Sequence, residues 1–192
     1  MGRKSLKTER VREILDAFDR CLERKGLQAT TLDNVAEEAG LARRMIRHYV
    51  GNRDDLVDAA VKRILEKYNR SIFEFIGGGD EKKRFGIALD YIFSETFNAL
   101  PATKLVAALL PVSLYDEQVR IAVKSLYTSF HQNLEEELKQ RLPGVPAAKR
   151  RRTAYSVMCL SFGGGWMFNI GFDAALNQHN RKLAQGLIDQ LS

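Results

Sequence analysis

Apolar residues recur at intervals of three and four along almost the whole chain, which is the period of an α-helix. The first such series consists of Val11, Ile14, Leu15, Phe18, Cys21 and Leu22. Gly26 follows as a residue that commonly ends a helix, so the first helix is predicted from about Lys7 to Lys25. Neither an alternating strand pattern nor an internal repeat competes with this period. The sequence therefore predicts an all-α protein of about nine helices.

Two short helices are predicted directly after the first one. The earlier of the two carries the apolar series Leu32, Val35, Ala36 and Ala39. Thr30 stands three residues before Asp33 and approximates a capping box, and Gly40 ends the helix. The next short helix covers about Ala42 to Tyr49. A longer helix followed by two short ones joined at a glycine is the layout of a helix-turn-helix unit.

Six further helices are predicted beyond this unit. The fourth helix, with Asn52 as a good N-cap, runs to Ile76 and is followed by a glycine linker at 77–79. The others are predicted over about 85–100, between Pro101 and Pro111, over 119–138, over about 149–176, and around 183–191. Residues 1–52 are thus expected to form a helix-turn-helix domain, and residues 53–192 a second helical domain.

The third predicted helix carries a concentrated positive charge. The chain has a net charge of +6, and no acidic residue interrupts 41–50. At about 100° per residue, Met45 and Ile46 lie on one side of this helix. The other side holds Arg43, Arg44, Arg47 and His48. Arginine can bond both acceptors of a guanine edge. A short basic helix is also common as a solvated surface, but its place as second helix of the pair favours DNA binding.

The N-terminal residues resemble the TetR family of transcriptional regulators. The matching residues are Ile14–Ala17, Gly26, Ala29–Thr31, Val35–Leu41, Tyr49, Gly51–Arg53 and Leu56. They cover about the first 57 residues, and their combination is specific although no single piece of it is. Beyond the linker, the order of the helices is similar to that of the choline-responsive BetI-like branch of the family.

The resemblance implies a set of residues that contact a double-stranded DNA operator. These are Thr31, Ala42, Arg43, Arg44, Arg47, His48, Tyr49 and Arg53, the last three mainly through phosphate. Ala42 replaces the usual Ser and removes a side-chain cap worth about 1 kcal/mol. Arg47 replaces the usual Tyr, Val50 the usual Phe and Arg53 the usual Lys. These departures leave the operator sequence open.

The resemblance also implies that the second domain binds a small-molecule effector and forms a homodimer. We expect the effector site to be lined by Phe93, Phe97, Leu105, Leu109, Tyr115, Phe130, Phe162 and Trp166. Such rings could form an aromatic cage for a quaternary amine, although the same rings are common as plain core. Asp90 and Glu95 lie off the apolar face of their helix, so neither is expected as a buried counter-charge. The predicted eighth and ninth helices are the expected dimer contact.

The expected mechanism is that of a ligand-responsive repressor. A dimer places two copies of the third helix in successive major grooves of a near-palindromic operator. An effector bound near helices five to eight shifts the fourth helix, changes the spacing of the two copies and releases the DNA. A constitutive DNA-binding protein without an effector is the alternative. An apolar cavity in the second domain would favour the ligand-responsive repressor, and a solidly packed domain would favour the constitutive protein.

Other functional classes find little support in the sequence. His48, His131 and His179 lack neighbours at metal-ligand spacing and no nucleophile motif is present, so neither an enzyme nor a metal or other cofactor is expected. Cys21 and Cys159 lie far apart in helical stretches and are expected to be small buried residues of a reducing compartment.

No signal peptide and no membrane partner are expected, which favours the cytoplasm. The uncharged stretch 154–172 is rich in glycine and polar residues, unlike a strong membrane span. Gly163–Gly165 lie within it, and they lack the following Lys-Ser or Lys-Thr of a phosphate loop. Their expected role is to let helices approach closely or to bend one of them.

Overall fold

The structure, a computed structural model, describes residues 3–76 and 81–191, and within these ranges it contains helices and no strand. The described residues form ten α-helices: α1 (Arg3–Ala29), α2 (Leu32–Ala39), α3 (Arg43–Tyr49), α4 (Arg53–Ile76), α5 (Glu81–Ile92), α6 (Glu95–Ala99), α7 (Pro101–Leu109), α8 (Glu117–Arg141), α9 (Ala147–Asn169) and α10 (Ala174–Asp189). A 3-10 turn covers Val112–Leu114. The all-α prediction is confirmed, and the predicted glycine linker at 77–79 lies outside the described residues.

The first four helices follow the prediction closely. Gly26 has a φ of 72°, so α1 is regular only as far as Lys25, where the sequence predicted its end. Asn52 caps α4, because its Oδ1 accepts from the backbone N–H of Asp54 at 2.7 Å and of Asp55 at 3.0 Å. No helix within the described ranges has both the length and the apolarity needed to cross a membrane.

The predicted fifth helix is divided into α5 and α6. Ser94 causes the break, since its hydroxyl accepts from the backbone N–H of Phe97 at 3.1 Å and donates to the carbonyl of Tyr91 at 2.7 Å. Ser94 is therefore the N-cap of a new helix. The prediction of one helix over 85–100 was therefore wrong. The apolar period continues across the break and does not reveal it.

The boundary between the predicted eighth and ninth helices is also earlier than predicted. The helix that begins at Ala147 ends at Asn169, and Gly171 has a φ of +98°. Asp173 then caps α10, because its Oδ1 accepts from the backbone N–H of Ala175 at 2.9 Å. The sequence does not reveal the end of α9, because no charged residue interrupts 154–172.

The chain divides into two compact units. The first contains Met1–Lys67 and Leu105–Val123, and the second contains Tyr68–Lys104 and Lys124–Ser192. The core of the first unit is formed by the apolar faces of α1, α2, α3 and α4. Its fully buried members include Ile14, Phe18, Val35, Ile46, Ala60 and Ile64.

Ion pairs connect α4 to α1 within the first unit. The guanidinium of Arg63 contacts the carboxylates of Asp16, at 2.5 Å, and of Asp19. The ammonium of Lys67 lies 3.1 Å from Asp19 as well. Because the side chain of Asp19 is only 12% exposed, this network is less screened by water than a surface pair.

Gly163–Gly165 lie within an unbroken α9, and two of them permit close helix packing. A Cβ on Gly164 would lie 2.8 Å from Nδ2 of Asn180 and closer still to Oδ1 of Asn177. A Cβ on Gly165 would lie 2.6 Å from Oδ1 of Asn98. The expectation of close approach is confirmed for these two positions, whereas a Cβ on Gly163 would meet nothing within 4 Å.

We predict that Gly164→Ala lowers the free energy of unfolding by about 1–3 kcal/mol, since the added methyl group overpacks a buried contact. Gly163→Ala is the matched control, one residue away in the same helix and facing open space. It should raise stability by about 0.5–1 kcal/mol through the better helix propensity of alanine. Chemical denaturation of the two variants checks both signs, and equal effects would contradict the packing described for Gly164.

Candidate nucleic-acid interface

The left-handed backbone conformation of Gly40 sets the angle between α2 and α3. Gly40 has a φ of 65°, a conformation that glycine adopts without steric cost. Its N–H is directed at the carbonyls of Ala36 and Glu37, and the N–H of Leu41 donates to Ala36 at 2.9 Å. The last carbonyls of α2 are thereby satisfied, and the chain turns into α3 within three residues.

The N-cap of α2 is Thr31 and not Thr30. The hydroxyl of Thr31 accepts from the backbone N–H of Asn34 at 3.2 Å. Thr30 is buried, and its hydroxyl donates to the carbonyl of Gly26 at 2.8 Å. The predicted capping box was therefore one residue out of register.

Helix α3 places its basic side chains toward solvent. Ile46 is fully buried, while Arg43, Arg44, Arg47 and His48 are exposed. α3 contacts both α1 and α2. The apolar side of the helix therefore packs inward, and the side that the sequence predicted as a DNA reader is accessible.

The arginine side chains of α3 make only weak ionic interactions with the other described residues. Arg43 contacts Asp33 at 3.0 Å, but the two side chains are 54% and 64% exposed. An ion pair of this kind contributes roughly 0–1 kcal/mol and is easily exchanged for another anion. Within residues 3–76 and 81–191, neither Arg44 nor Arg47 forms an ion pair. Three guanidinium groups are thus presented on one short helix.

The other predicted DNA contacts lie at the ends of α2, α3 and α4. His48 and Tyr49 meet edge to face, with ring centroids 5.0 Å apart. Arg53 begins α4 and donates to the carbonyl of Leu27 at 3.2 Å, which ties this helix to the end of α1. Ala42 is the N-cap of α3 and makes no side-chain cap, as its replacement of serine predicted.

Residues outside the predicted set fix the position of α2 and α3. Glu38 on α2 accepts from two arginines of α1, Arg20 at 2.6 Å and Arg24. The thiol of Cys21 lies 3.6 Å from the carbonyl oxygen of Asn34. Helical spacing could not assign this role to Glu38, because its partners are 14 and 18 residues away and share no helical face with it.

Five of the predicted effector-site residues belong to the second unit, and several of them cluster. The ring of Phe162 lies 5.1 Å from Phe130 and 4.4 Å from Tyr127. Phe93 and Phe97 are buried at the break between α5 and α6. Trp166 is half-buried on α9.

Tyr127 was missed, although it lies three residues before Phe130 on the same helix. Burial raises its pKa to about 12, because the phenolate form would be poorly solvated there.

The remaining three predicted effector residues belong to the first unit. Leu105 and Leu109 are buried, and Tyr115 is 90% exposed. The eight residues are therefore divided between the two units, five in one and three in the other. Helical spacing alone carried no information on this division.

Two pockets of the second unit are lined by other side chains. The larger has a volume of about 600 Å³ and a mostly polar lining: Arg84, Phe85, Gly86, Glu137, Gln140, Arg141, Leu142, Gln185, Ile188 and Asp189. The smaller, of about 300 Å³, is lined by Ile87, Asp90, Tyr91, Ser94 and Thr96. Asp90 is exposed and pairs with Arg181 at 2.8 Å, so its prediction as a surface residue is confirmed.

The two cysteines have different environments. Cys21 is buried in the core of the first unit, as predicted. Cys159 is exposed, so its prediction as a buried residue was wrong. It lies on the outward side of α9, four residues after the exposed Tyr155.

Within the described part of the chain, no three His, Cys, Asp or Glu side chains are grouped to hold a metal ion.

A solvent-facing basic helix, set after a glycine turn in an N-terminal three-helix unit, defines a helix-turn-helix DNA-binding protein. Residues 14–60 match the family model described as bacterial regulatory proteins, tetR family. Residues 14–60 thus resemble the DNA-binding domain of this family of bacterial regulatory proteins.

The similarity to known regulators extends beyond the matched domain. The HTH-type transcriptional regulator BetI of Burkholderia mallei is 25% identical over 182 residues, 93% of this chain and 91% of the relative. A TetR-family regulator from Cytophaga hutchinsonii has a TM-score of 0.82 at 15% identity, covering 97% of this chain and 96% of the other. A regulator from Saccharomonospora viridis, in complex with choline, has a TM-score of 0.75 at 16% identity, covering 95% and 96%. The two structures share the fold of this chain.

We predict that Ala42→Ser stabilises the protein by about 0.5–1 kcal/mol, because the hydroxyl can accept a backbone N–H in the first turn of α3. Thermal unfolding measures the change. Thr31→Ala is the matched control, since it removes a cap that the structure contains and should lower stability by a similar amount. A loss of stability in Ala42→Ser would contradict the uncapped start of α3.

Proposed function

We propose that the chain is a ligand-responsive repressor that binds a near-palindromic operator as a homodimer. A small molecule that binds the C-terminal domain releases the protein from DNA. The observation that supports this proposal most directly is the exposed basic side of α3, which follows the turn at Gly40. Residues 1–52 serve as the DNA-binding domain and residues 53–192 as the effector and dimerisation domain.

The DNA contact that we propose uses both base edges and phosphates. Arg43 and Arg47 are one turn apart on the exposed side of α3, so both can enter one major groove. Arginine in this position can read guanine through two acceptors. The surrounding contacts are assigned to Thr31, Ala42, Arg44, His48, Tyr49 and Arg53. Phosphate contacts among them fix the register of α3 on the duplex.

The homodimer contact that we propose is formed by α9 and α10, which pack against each other. These helices and the turn between them carry large apolar side chains that are 41–59% exposed: Tyr155, Met167, Ile170, Phe172, Leu176 and Leu183. A contiguous exposed apolar surface marks an interaction site, and we propose that these side chains form one. A second copy of the same surface would cover it around a twofold axis and present two copies of α3.

The proposed effector is a small molecule that binds among the aromatic side chains of the second domain. The cluster of Tyr127, Phe130 and Phe162 offers ring faces of the kind that attract a cation. The Saccharomonospora viridis regulator was solved with choline, so choline is the first compound to test. Effector binding would shift α4 and so change the separation of the two α3 helices in the dimer.

We predict that Arg43→Ala with Arg47→Ala weakens operator binding by at least about 30-fold, since each bidentate base contact is worth ~1–3 kcal/mol. The operator is first recovered by selecting genomic fragments with the purified protein. Binding is then measured at one stated salt concentration, because affinity for DNA depends steeply on salt. Lys104→Ala with Lys124→Ala is the control of equal charge, as both lysines are exposed outside the helix-turn-helix unit. Normal affinity in the Arg43/Arg47 variant would refute the proposed contact.

We predict that Ile170→Glu with Leu183→Glu converts the dimer to a monomer, because two copies of the apolar surface would then bring carboxylates together. Sedimentation velocity reports the change in mass. Leu114→Glu is the control, since Leu114 is 76% exposed but does not belong to the proposed dimer surface. Retention of the dimer in the Ile170/Leu183 variant would exclude this surface as the contact.

A further inference from the structure

The break between α5 and α6 leaves backbone carbonyls without helical partners. α5 ends at Ile92, and the last carbonyls of any helix lack an N–H one turn further on. At this break the N–H of Phe97, which a continuous helix would direct to the carbonyl of Phe93, bonds to the hydroxyl of Ser94 instead. The carbonyls of Ile92 and Phe93 therefore need donors from elsewhere.

Two buried side chains from α9 and α10 supply these donors. The hydroxyl of Ser161 donates to the carbonyl of Ile92 at 3.0 Å. The amide of Asn177 donates to the carbonyl of Phe93 at 2.9 Å. Ser161 is 1% exposed and Asn177 is 4% exposed, so both bonds are shielded from water. α9 and α10 thus each donate one side-chain hydrogen bond to a residue at the break.

The glycines of α9 make this arrangement sterically possible. Gly164 faces Asn177, and Gly165 faces Asn98 of α6. A side chain at either glycine would displace an asparagine from its place beside α9. Close approach at these two positions and the two hydrogen bonds to the break therefore belong to one buried polar cluster, formed by Asn98, Ser161 and Asn177.

The cluster is not optimised for stability alone. Nδ2 of Asn98 and Oδ1 of Asn177 are buried without a hydrogen-bond partner among the described residues. Unpaired buried polar atoms are rare in proteins, and each one calls for an explanation. Apolar side chains would pack here without that penalty, but they would supply no donor to the carbonyls of Ile92 and Phe93.

We infer that Ser161 and Asn177 are positioning residues that hold the α5–α6 break in place from the two helices of the proposed dimer surface. Phe93 and Phe97 flank this break and belong to the proposed effector site. A movement of these rings on effector binding is therefore transmitted through two hydrogen bonds to α9 and α10. The positioning rests on the observed bonds alone, whereas the coupling to the dimer rests on the proposed function.

Hydrogen exchange of the full-length protein tests the positioning. In Ser161→Ala with Asn177→Ala, the backbone amides of residues 92–98 should exchange about tenfold faster, as expected for the loss of a hydrogen bond. Amides of α1–α3 should not change, which reports that the variant is folded. Ser156→Ala with Gln178→Ala is the control, since it removes one hydroxyl and one side-chain amide from the same two helices outside the cluster. Unchanged exchange over 92–98 would overturn the inference.

A milder variant keeps the test decisive if the double variant does not fold. Ser161→Cys retains a donor of similar size but weaker strength, so its exchange over 92–98 should fall between those of the wild type and Ser161→Ala. A merely space-filling role for Ser161 would make cysteine indistinguishable from serine in exchange. That result would contradict positioning through the hydrogen bond.

The coupling has its own readout. In the dimer-surface variant Ile170→Glu with Leu183→Glu, neither residue touches the cluster through a hydrogen bond, yet exchange over 92–98 should rise if the surface and the break are linked. A monomeric variant with unchanged exchange would overturn the coupling. A wild-type protein that is already monomeric would refute the proposed dimer, and the positioning would still be decided by the Ser161 and Asn177 variants.

Discussion

The burial of Ile46 determines the orientation of the basic helix α3. In a helix of only seven residues, one fully buried side chain fixes the rotation about the axis, because each neighbour is displaced by about 100°. Arg44 and Arg47, about 160° and 100° from Ile46, are then directed away from the core, and Arg43, about 60° from it, lies at the edge of the exposed side. A rotation by one residue would bury the guanidinium of Arg47 without a partner, at a cost of several kcal/mol. The electrostatic property of the surface is therefore a consequence of apolar packing beneath it.

The same helix is locally unfavourable in isolation. Two arginines in its first turn oppose the helix dipole, and the cap position is an alanine that accepts no hydrogen bond. A short helix of this composition persists because α1 and α2 hold it. The negative field of a bound duplex would offset this repulsion, so the local disadvantage and the affinity for a polyanion have one origin. Sites that conflict with local rules in this way are typical of functional surfaces.

The sequence allowed prediction where a property is decided by neighbours along the chain. The end of α1 at Gly26 and the cap at Asn52 depend on a few adjacent residues, and both were found. The break at Ser94 was not predicted. The carbonyls that it exposes accept hydrogen bonds from Ser161 and Asn177, which lie far along the chain. Exposure of Cys159 likewise depends on which side of α9 is left uncovered, which periodicity within an uncharged helix does not reveal.

The proposed effector site shows the same limit at the level of whole helices. Spacing on one helix identifies Phe130 as inward-facing, but the partner that it meets, Phe162, lies 32 residues away on another helix. Apolar pattern therefore selects candidates without assigning them to a common cluster, and it overlooks buried polar groups altogether. In the second unit those groups satisfy the carbonyls at the α5–α6 break. The second unit consequently depends on buried polar residues that an apolar pattern does not identify, whereas the helix-turn-helix unit depends on the pattern itself.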